Sequence, residues 1–400
     1  MSNPLNSLIP LFLYSSGLAA FSWLPWFGDE EKPKETKTEE TTPIENTEVK
    51  EPAVPAVEEK QPEPPSPLLY PDPLPLHGEQ LVSGLGMVYA SSCGGCHAKS
   101  LAEWTDSAHH LGVQDEELLE SLRSYGNGTV CTQCHLPLAQ QHEKLTTSVV
   151  EADISRPVME QNPSWNPTLS LDSVGCAACH VRQGVVVGRK TSASPHAVRN
   201  SQELVTSDAC QSCHQYTLPE EDVPLYNTFM EWKNSAYYTA GIQCQDCHMR
   251  DSSPTIGEGH RNHSMSLPIK QGITITYEIP SLEMQRNQKI PFSFILHNSG
   301  VGHSWPSSSP FIEKKIIVRV FDSKGKSAMK EISHYIGRQP KEIAVQLDPA
   351  PRSIAVGNQQ AFSNALLISS RSPAGYGRIM IIYKEGSQET ILDDIRIQIR

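Results

Sequence analysis

The chain has 400 residues, enough for two or three domains, with a net charge of −12 and only 38% hydrophobic residues. An acidic chain offers no basic face to phosphate, which argues against nucleic acid as a partner. All ten cysteines sit in one repeated pentapeptide, so none is left for a disulfide framework.

Residues 1–28 read as a signal peptide or a membrane anchor. Leu5 to Phe27 is apolar, with Pro10 and Pro25 inside, and no Lys or Arg precedes it, so the positive start of an export signal is missing. In the first reading Leu8 to Tyr14 is a short apolar core with cleavage near Gly17-Leu18-Ala19. In the second the stretch stays in the membrane, with Trp23, Trp26 and Phe27 at the interface. Residues 29–75 read as a disordered linker rich in Pro and Glu. Between Asp29 and Glu63 stand twelve acidic and five basic residues. Such a segment buries too little apolar surface to offset its ordering entropy, and its prolines and like charges extend it.

Residues 76–268 carry five copies of C-x-x-C-H: Cys93 to His97, Cys131 to His135, Cys176 to His180, Cys210 to His214 and Cys244 to His248. This is the attachment signature of a c-type heme. Two thiols three positions apart bond the two vinyl groups of one porphyrin, and the next residue lies under the iron as an axial ligand. Zinc would want two cysteine pairs per metal, which leaves one pair over. The motifs therefore predict five covalent hemes, held by Cys93, Cys96, Cys131, Cys134, Cys176, Cys179, Cys210, Cys213, Cys244 and Cys247, with His97, His135, His180, His214 and His248 on the irons. Second cysteines at 96, 134, 179, 213 and 247 leave little polypeptide per heme, so the porphyrins are expected to supply most of the buried apolar area. A helix is predicted over Asp115 to Leu122, with acidic residues in its first turn and Gly126 as a stop. Short helices or coil are expected after each motif.

An internal repeat stands out. Glu103-Trp104-Thr105-Asp106-Ser107-Ala108-His109-His110 matches Glu231-Trp232-Lys233-Asn234-Ser235-Ala236-Tyr237-Tyr238. It predicts a reused local structure, with a Trp against a porphyrin and a following side chain aimed at iron. That side chain is His in the first copy and Tyr in the second.

Residues 269–400 change texture. No cysteine occurs, and β-rich runs recur between turns: Ile273–Tyr277, Pro291–Leu296, Lys315–Phe321, Ile343–Leu347, Gln360–Ile368, Arg378–Tyr383 and Thr390–Ile399, with a turn at Asp322-Ser323-Lys324-Gly325. Seven or so strands at this spacing predict an immunoglobulin-like β-sandwich. Nothing in this part looks catalytic. The expected fold class is thus mixed: a heme-packed domain of coil and short helix, then an all-β sandwich.

A low-spin heme needs a second axial ligand, usually His or Met. Ten His lie outside the motifs: His77, His109, His110, His142, His196, His260, His263, His297, His303 and His334. His109 ends the Trp repeat. His196 follows Ser194-Pro195. His260 and His263 follow the fifth motif. His142 stands seven residues past His135, on the same face if that stretch is helical. His303, within Gly302-His303-Ser304-Trp305-Pro306, is placed to reach in from the β domain.

The runs Ser194-Pro195-His196-Ala197-Val198, Glu231-Trp232 to Tyr237, and Cys244 to Met249 resemble bacterial multiheme c-type cytochromes of the stacked-heme electron-transfer class, with a C-terminal β domain. The resemblance covers roughly residues 90 to 325. It implies distal-ligand roles for His109 and His196, and for His263 ahead of His260; His110, His142, His260 and His303 stand in reserve on their positions in the chain. It also implies export, because such hemes are attached outside the cytoplasmic membrane; the expected location is periplasmic or cell-surface. Asn298-Ser299-Gly300-Val301-Gly302-His303-Ser304-Trp305-Pro306 matches an element that opens a β domain there, its role open. Tyr237 in place of His leaves open whether all five irons are closed by His.

The leading expectation is a carrier of electrons in a respiratory or extracellular chain, working with redox protein partners. The alternatives are an enzyme that reduces or oxidises a small nitrogen or sulfur species at an open heme, and the heme subunit of a membrane quinol-oxidising complex. No motif ends in Lys in place of His, and no acid/base cluster stands beside a motif, which favours the carrier.

Overall fold

The computed structural model divides the chain into two units, Met1–Pro62 and Glu63–Arg400. It describes residues 85–114, 129–150, 153–188, 196–217, 224–250, 260–338 and 353–400. All of these lie in the second unit. The expected leader or anchor, the linker, the helix over Asp115 to Leu122 and the strand over Ile343–Leu347 fall outside the described residues, as does His77.

Among the described residues the motif region has ten short helices: α1 (Ala90–Gly94), α2 (Ala98–Thr105), α3 (Ala108–Leu111), α4 (Thr129–His135), α5 (Pro167–Ser170), α6 (Cys176–His180), α7 (Asp208–His214), α8 (Thr228–Lys233), α9 (Ala236–Thr239) and α10 (Cys244–His248). None is long and apolar enough to cross a membrane, nor is any other helix among the described residues. Strands also occur here, where only helix or coil was expected. β1 (Lys144–Val150) and β2 (Asp153–Gln161) form an antiparallel hairpin. β3 (Val181–Arg182) leaves His180 directly, pairs antiparallel with β4 (Val185–Gly188), and β4 pairs parallel with β5 (Val198–Asn200). The β-branched run Val185-Val186-Val187 favours extended backbone, and tertiary pairing decides the rest.

The polypeptide core of this region is thin. One cluster joins Val88, Leu138, Leu169, Ala177, Ala178 and Val181, and a second joins only Tyr216 and Leu225, flanked by Tyr226 and Phe311. The cluster in the C-terminal region is far larger. That contrast is expected where prosthetic groups supply the missing apolar volume.

The C-terminal region is β-rich. A five-stranded sheet runs β10 (Ile332–Tyr335), β9 (Lys314–Phe321), β12 (Gly375–Glu385), β13 (Gln388–Ile399), β7 (Glu283–Met284). A three-stranded sheet runs β11 (Gln359–Leu367), β8 (Lys289–Asn298), β6 (Ile273–Glu278). Alternation drives both. Along β8, Ile290, Phe292, Phe294 and Leu296 point inward, and Ile316, Val318 and Val320 of β9 meet them in one cluster with Ile379, Ile381, Ile395, Ile397 and Ile399. A register shift between Ile381 and Ile382 leaves Leu392 unpaired on β13, a bulge. Phe294 stacks on Phe362 with ring centroids 4.9 Å apart. Phe294→Ala is expected to cost about 3–5 kcal/mol by the cavity it leaves, seen as a lower denaturation midpoint with an unchanged heme spectrum.

The two regions are joined by polar contacts. The Arg338 guanidinium donates to the carbonyls of Pro224 and Leu225. The buried Lys314 ammonium donates to the carbonyls of Ser309, Ile312 and Arg338 and so holds that edge. The Arg338 contacts tie the β region to residues 224 and 225.

Candidate functional site

Each C-x-x-C-H motif contains or adjoins a helical turn, and α6 and α10 consist of nothing else. A helical turn puts residues i and i+3 on one face, so both thiols of a motif point the same way with the His beside them. The motifs also lie against one another. The thiols of different motifs neighbour one another, Cys93 with Cys176, Cys134 with Cys213, and Cys210 with Cys244. Backbone contacts agree. The Ala90 N–H donates to Asp172, just ahead of the third motif, at 2.7 Å. The Cys244 N–H donates to Ser207, the N-cap of α7, at 2.9 Å.

Four motif histidines face a second imidazole. Ring centroids are 6.5 Å apart for His97 and His196, and 6.2 Å for His109 and His214, for His180 and His263, and for His248 and His303. A metal–imidazole bond is about 2 Å and a ring nitrogen lies about 1 Å from its ring centre, so two imidazoles sharing one iron stand about 6 Å apart. All four pairs meet that spacing. His135 has no such ring opposite it among the described residues; a Cβ on Gly112 would come within 3.0 Å of its Nδ1.

The remaining candidates are placed elsewhere. His110 packs on Trp104 at 4.1 Å. His142 is not on a helix with His135; it follows a single 3-10 turn, and its Nε2 bonds the Leu136 carbonyl at 2.6 Å. His260 bonds Glu103 at 2.9 Å. Tyr237 packs its ring beside Gly302. His297 and His334 bond Gly357 and Asn364 within the β region.

The ring nitrogens are set for ligation. A metal-bound His usually donates its other N–H to a carbonyl, which fixes the tautomer. Nδ1 of His180 meets the Val187 carbonyl at 3.0 Å, Nδ1 of His248 meets that of Met265 at 3.0 Å, and Nδ1 of His303 meets that of Ser304 at 2.9 Å. This leaves Nε2 for iron. Burial holds His109, His135, His180, His263 and His303 below the usual imidazole range, and His214 down at about 4. These rings stay neutral near pH 7, the form that binds metal. Spacing, tautomer and charge all fit heme.

The sequence reading missed what several residues do here. Asn298 is fully buried; its Nδ2 donates to the carbonyls of His303 and Ile354 at 2.9 and 3.0 Å, and its Oδ1 accepts from Val301 N–H. It folds the loop that delivers His303. Gly300 packs against Gly272, where a Cβ on Gly300 would lie 2.9 Å from the Gly272 Cα. The Asn298 to Pro306 element, whose role was open, thus carries a ring to His248. Met265 serves two sites: its carbonyl meets His248, and its Sδ lies 2.7 Å from Nδ1 of His109. Asn298 and Gly300 carried a sequence signal as part of the Asn298 to Pro306 element, and Glu103 and Glu231 as the shared first residue of the repeat.

No protein-family profile matches the chain, and no curated protein matches its sequence. Among solved structures, a penta-heme cytochrome c552 from Thermochromatium tepidum is similar, with TM-score 0.52 and 15% identity over 80% of this chain and 99% of that one. The C-terminal domain of Wzt also matches, at TM-score 0.21 and 14% identity over 32% of this chain and 74% of that one, too weakly to carry an argument. The fold is therefore similar to that of the penta-heme cytochrome, with a β-rich C-terminal region.

Proposed function

We propose that this protein is a pentaheme c-type cytochrome that carries electrons, exported to the periplasm or cell surface. The observation that supports it most is the set of four facing imidazole pairs, His97–His196, His109–His214, His180–His263 and His248–His303. A six-coordinate bis-His iron leaves no site for substrate and suits electron transfer. Bound heme supplies the one-electron couple. The chain's own residues hold the tautomers of His180, His248 and His303 with backbone carbonyls and bury His109, His180, His214 and His303, which tunes potential. The side-by-side packing of the motif cysteines supports hemes close enough to pass electrons. The two C-terminal sheets are read as an immunoglobulin-like sandwich, a docking face for redox partners or for membrane quinol-oxidising subunits.

Mass spectrometry of the mature protein is expected to show five heme additions; three or four would sink this reading. One observation favours a second reading. His135 faces no imidazole among the described residues, so the heme on Cys131 and Cys134 is the candidate open site for a small nitrogen or sulfur species. In this case cyanide should perturb one heme of the five. A spectrum unmoved by cyanide leaves the carrier reading alone.

A further inference from the structure

The two copies of the Glu-Trp-x-x-Ser repeat fold alike, in α2–α3 and α8–α9. In the first, Trp104 Nε1–H donates to the Val174 carbonyl at 3.0 Å, and the Val174 N–H donates to the His109 carbonyl at 3.1 Å. In the second, Trp232 Nε1–H donates to the Ile242 carbonyl at 2.8 Å, and the Ile242 N–H donates to the Tyr237 carbonyl at 3.0 Å. Val174 and Ile242 each stand two residues ahead of a motif, those of Cys176 and Cys244. Each copy is therefore fastened to the entry of one heme motif.

The glutamates reach the other way. Glu103 Oε2 accepts from the His263 N–H at 3.0 Å, and Glu231 Oε2 accepts from the Ser304 N–H, next to His303, at 3.0 Å. His263 and His303 are the rings that face His180 and His248, the histidines of those same two motifs. Each copy thus spans from the motif to the loop that carries the opposing ring.

We propose that Glu103 and Glu231 are positioning residues that hold the sixth ligand in place on two hemes, those of Cys176/Cys179 and Cys244/Cys247. The two act differently. Glu103 also accepts from His260 at 2.9 Å and lies 3.9 Å from Nδ1 of His263, so its charge faces the ligand ring as well as its backbone. Nδ1 of His303 is instead met by the Ser304 carbonyl and the Ser307 hydroxyl, so Glu231 acts by holding the loop. A carboxylate beside a ligand imidazole makes it more basic and favours oxidised iron.

The inference rests on the heme reading of the motifs, and the test keeps the two apart. The full-length holoprotein carries the variants. Glu103→Ala and Glu231→Ala are each expected to keep five covalent hemes while one low-spin signal in the electron paramagnetic resonance spectrum gives way to high spin. Glu103→Gln keeps an acceptor oxygen and loses the charge; it should stay low-spin with one midpoint potential shifted upward. Glu231→Gln should match wild type in both. If an alanine variant fails to accumulate, the Glu103→Gln potential decides. Absence of heme from the Cys176 or Cys244 peptide of the wild-type protein overturns both ideas. Five hemes, a high-spin signal in His263→Ala, and wild-type spectra and potentials in every Glu variant overturn the positioning role alone.

Discussion

His303→Ala is expected to turn the heme on Cys244 and Cys247 from low to high spin without detaching it. The thioether bonds come from the cysteines of α10 and do not depend on residue 303. The sixth position is expected to, because the His303 ring lies opposite His248 with centroids 6.2 Å apart. A chain cut after residue 268 should go further. It loses His303, the Ser304 N–H that meets Glu231, and the Arg338 guanidinium on the Pro224 and Leu225 carbonyls. The truncated protein should show the same high-spin heme together with faster proteolysis around residues 224–250. A wild-type low-spin spectrum in the truncated protein would show that the β region contributes no ligand.

The second large effect is expected from the fourth motif. Its cysteines lie against three others: Cys213 meets Cys134, Cys210 meets Cys244, and both lie near Cys179. Cys210→Ala with Cys213→Ala removes the covalent anchor of the heme placed there. The polypeptide clusters of this region are small, so the lost porphyrin leaves apolar surface that side chains cannot refill. The expected result is the loss of one heme or more by mass, with protease-sensitive sites appearing throughout residues 85–268. The same change at Cys93 and Cys96 should be milder, because Cys96 is exposed. A variant of the fourth motif with four hemes and wild-type protease resistance would contradict the central role of this heme.

Chain-local chemistry is what the sequence alone determined. Covalent attachment would need two thiols and an imidazole within five consecutive residues, so the ten cysteines and five histidines are marked as candidates by spacing alone. Six of the seven predicted β runs coincide with strands, because a half-buried strand writes its pattern in alternation, as Ile290 to Leu296 does. Short strands such as β7 and β10, and the strands beside the third motif, left no such mark, since pairing with distant partners decides them.

Which rings face one another was decided by tertiary structure. The facing rings stand 55 residues apart for His248 and His303 and 105 apart for His109 and His214, and no local pattern reports a contact across such distances. His142 and His303 show the consequence. Position in the chain put His142 close to a motif, yet its Nε2 is taken by the Leu136 carbonyl. His303 lies in a different region of the chain, and a buried Asn298 with a Gly300–Gly272 contact bends its loop back to His248. The repeat was visible as letters. That its glutamates reach the loops bearing His263 and His303 follows only from how the chain folds back on itself, because a carboxylate selects a backbone N–H by position in space and not by sequence.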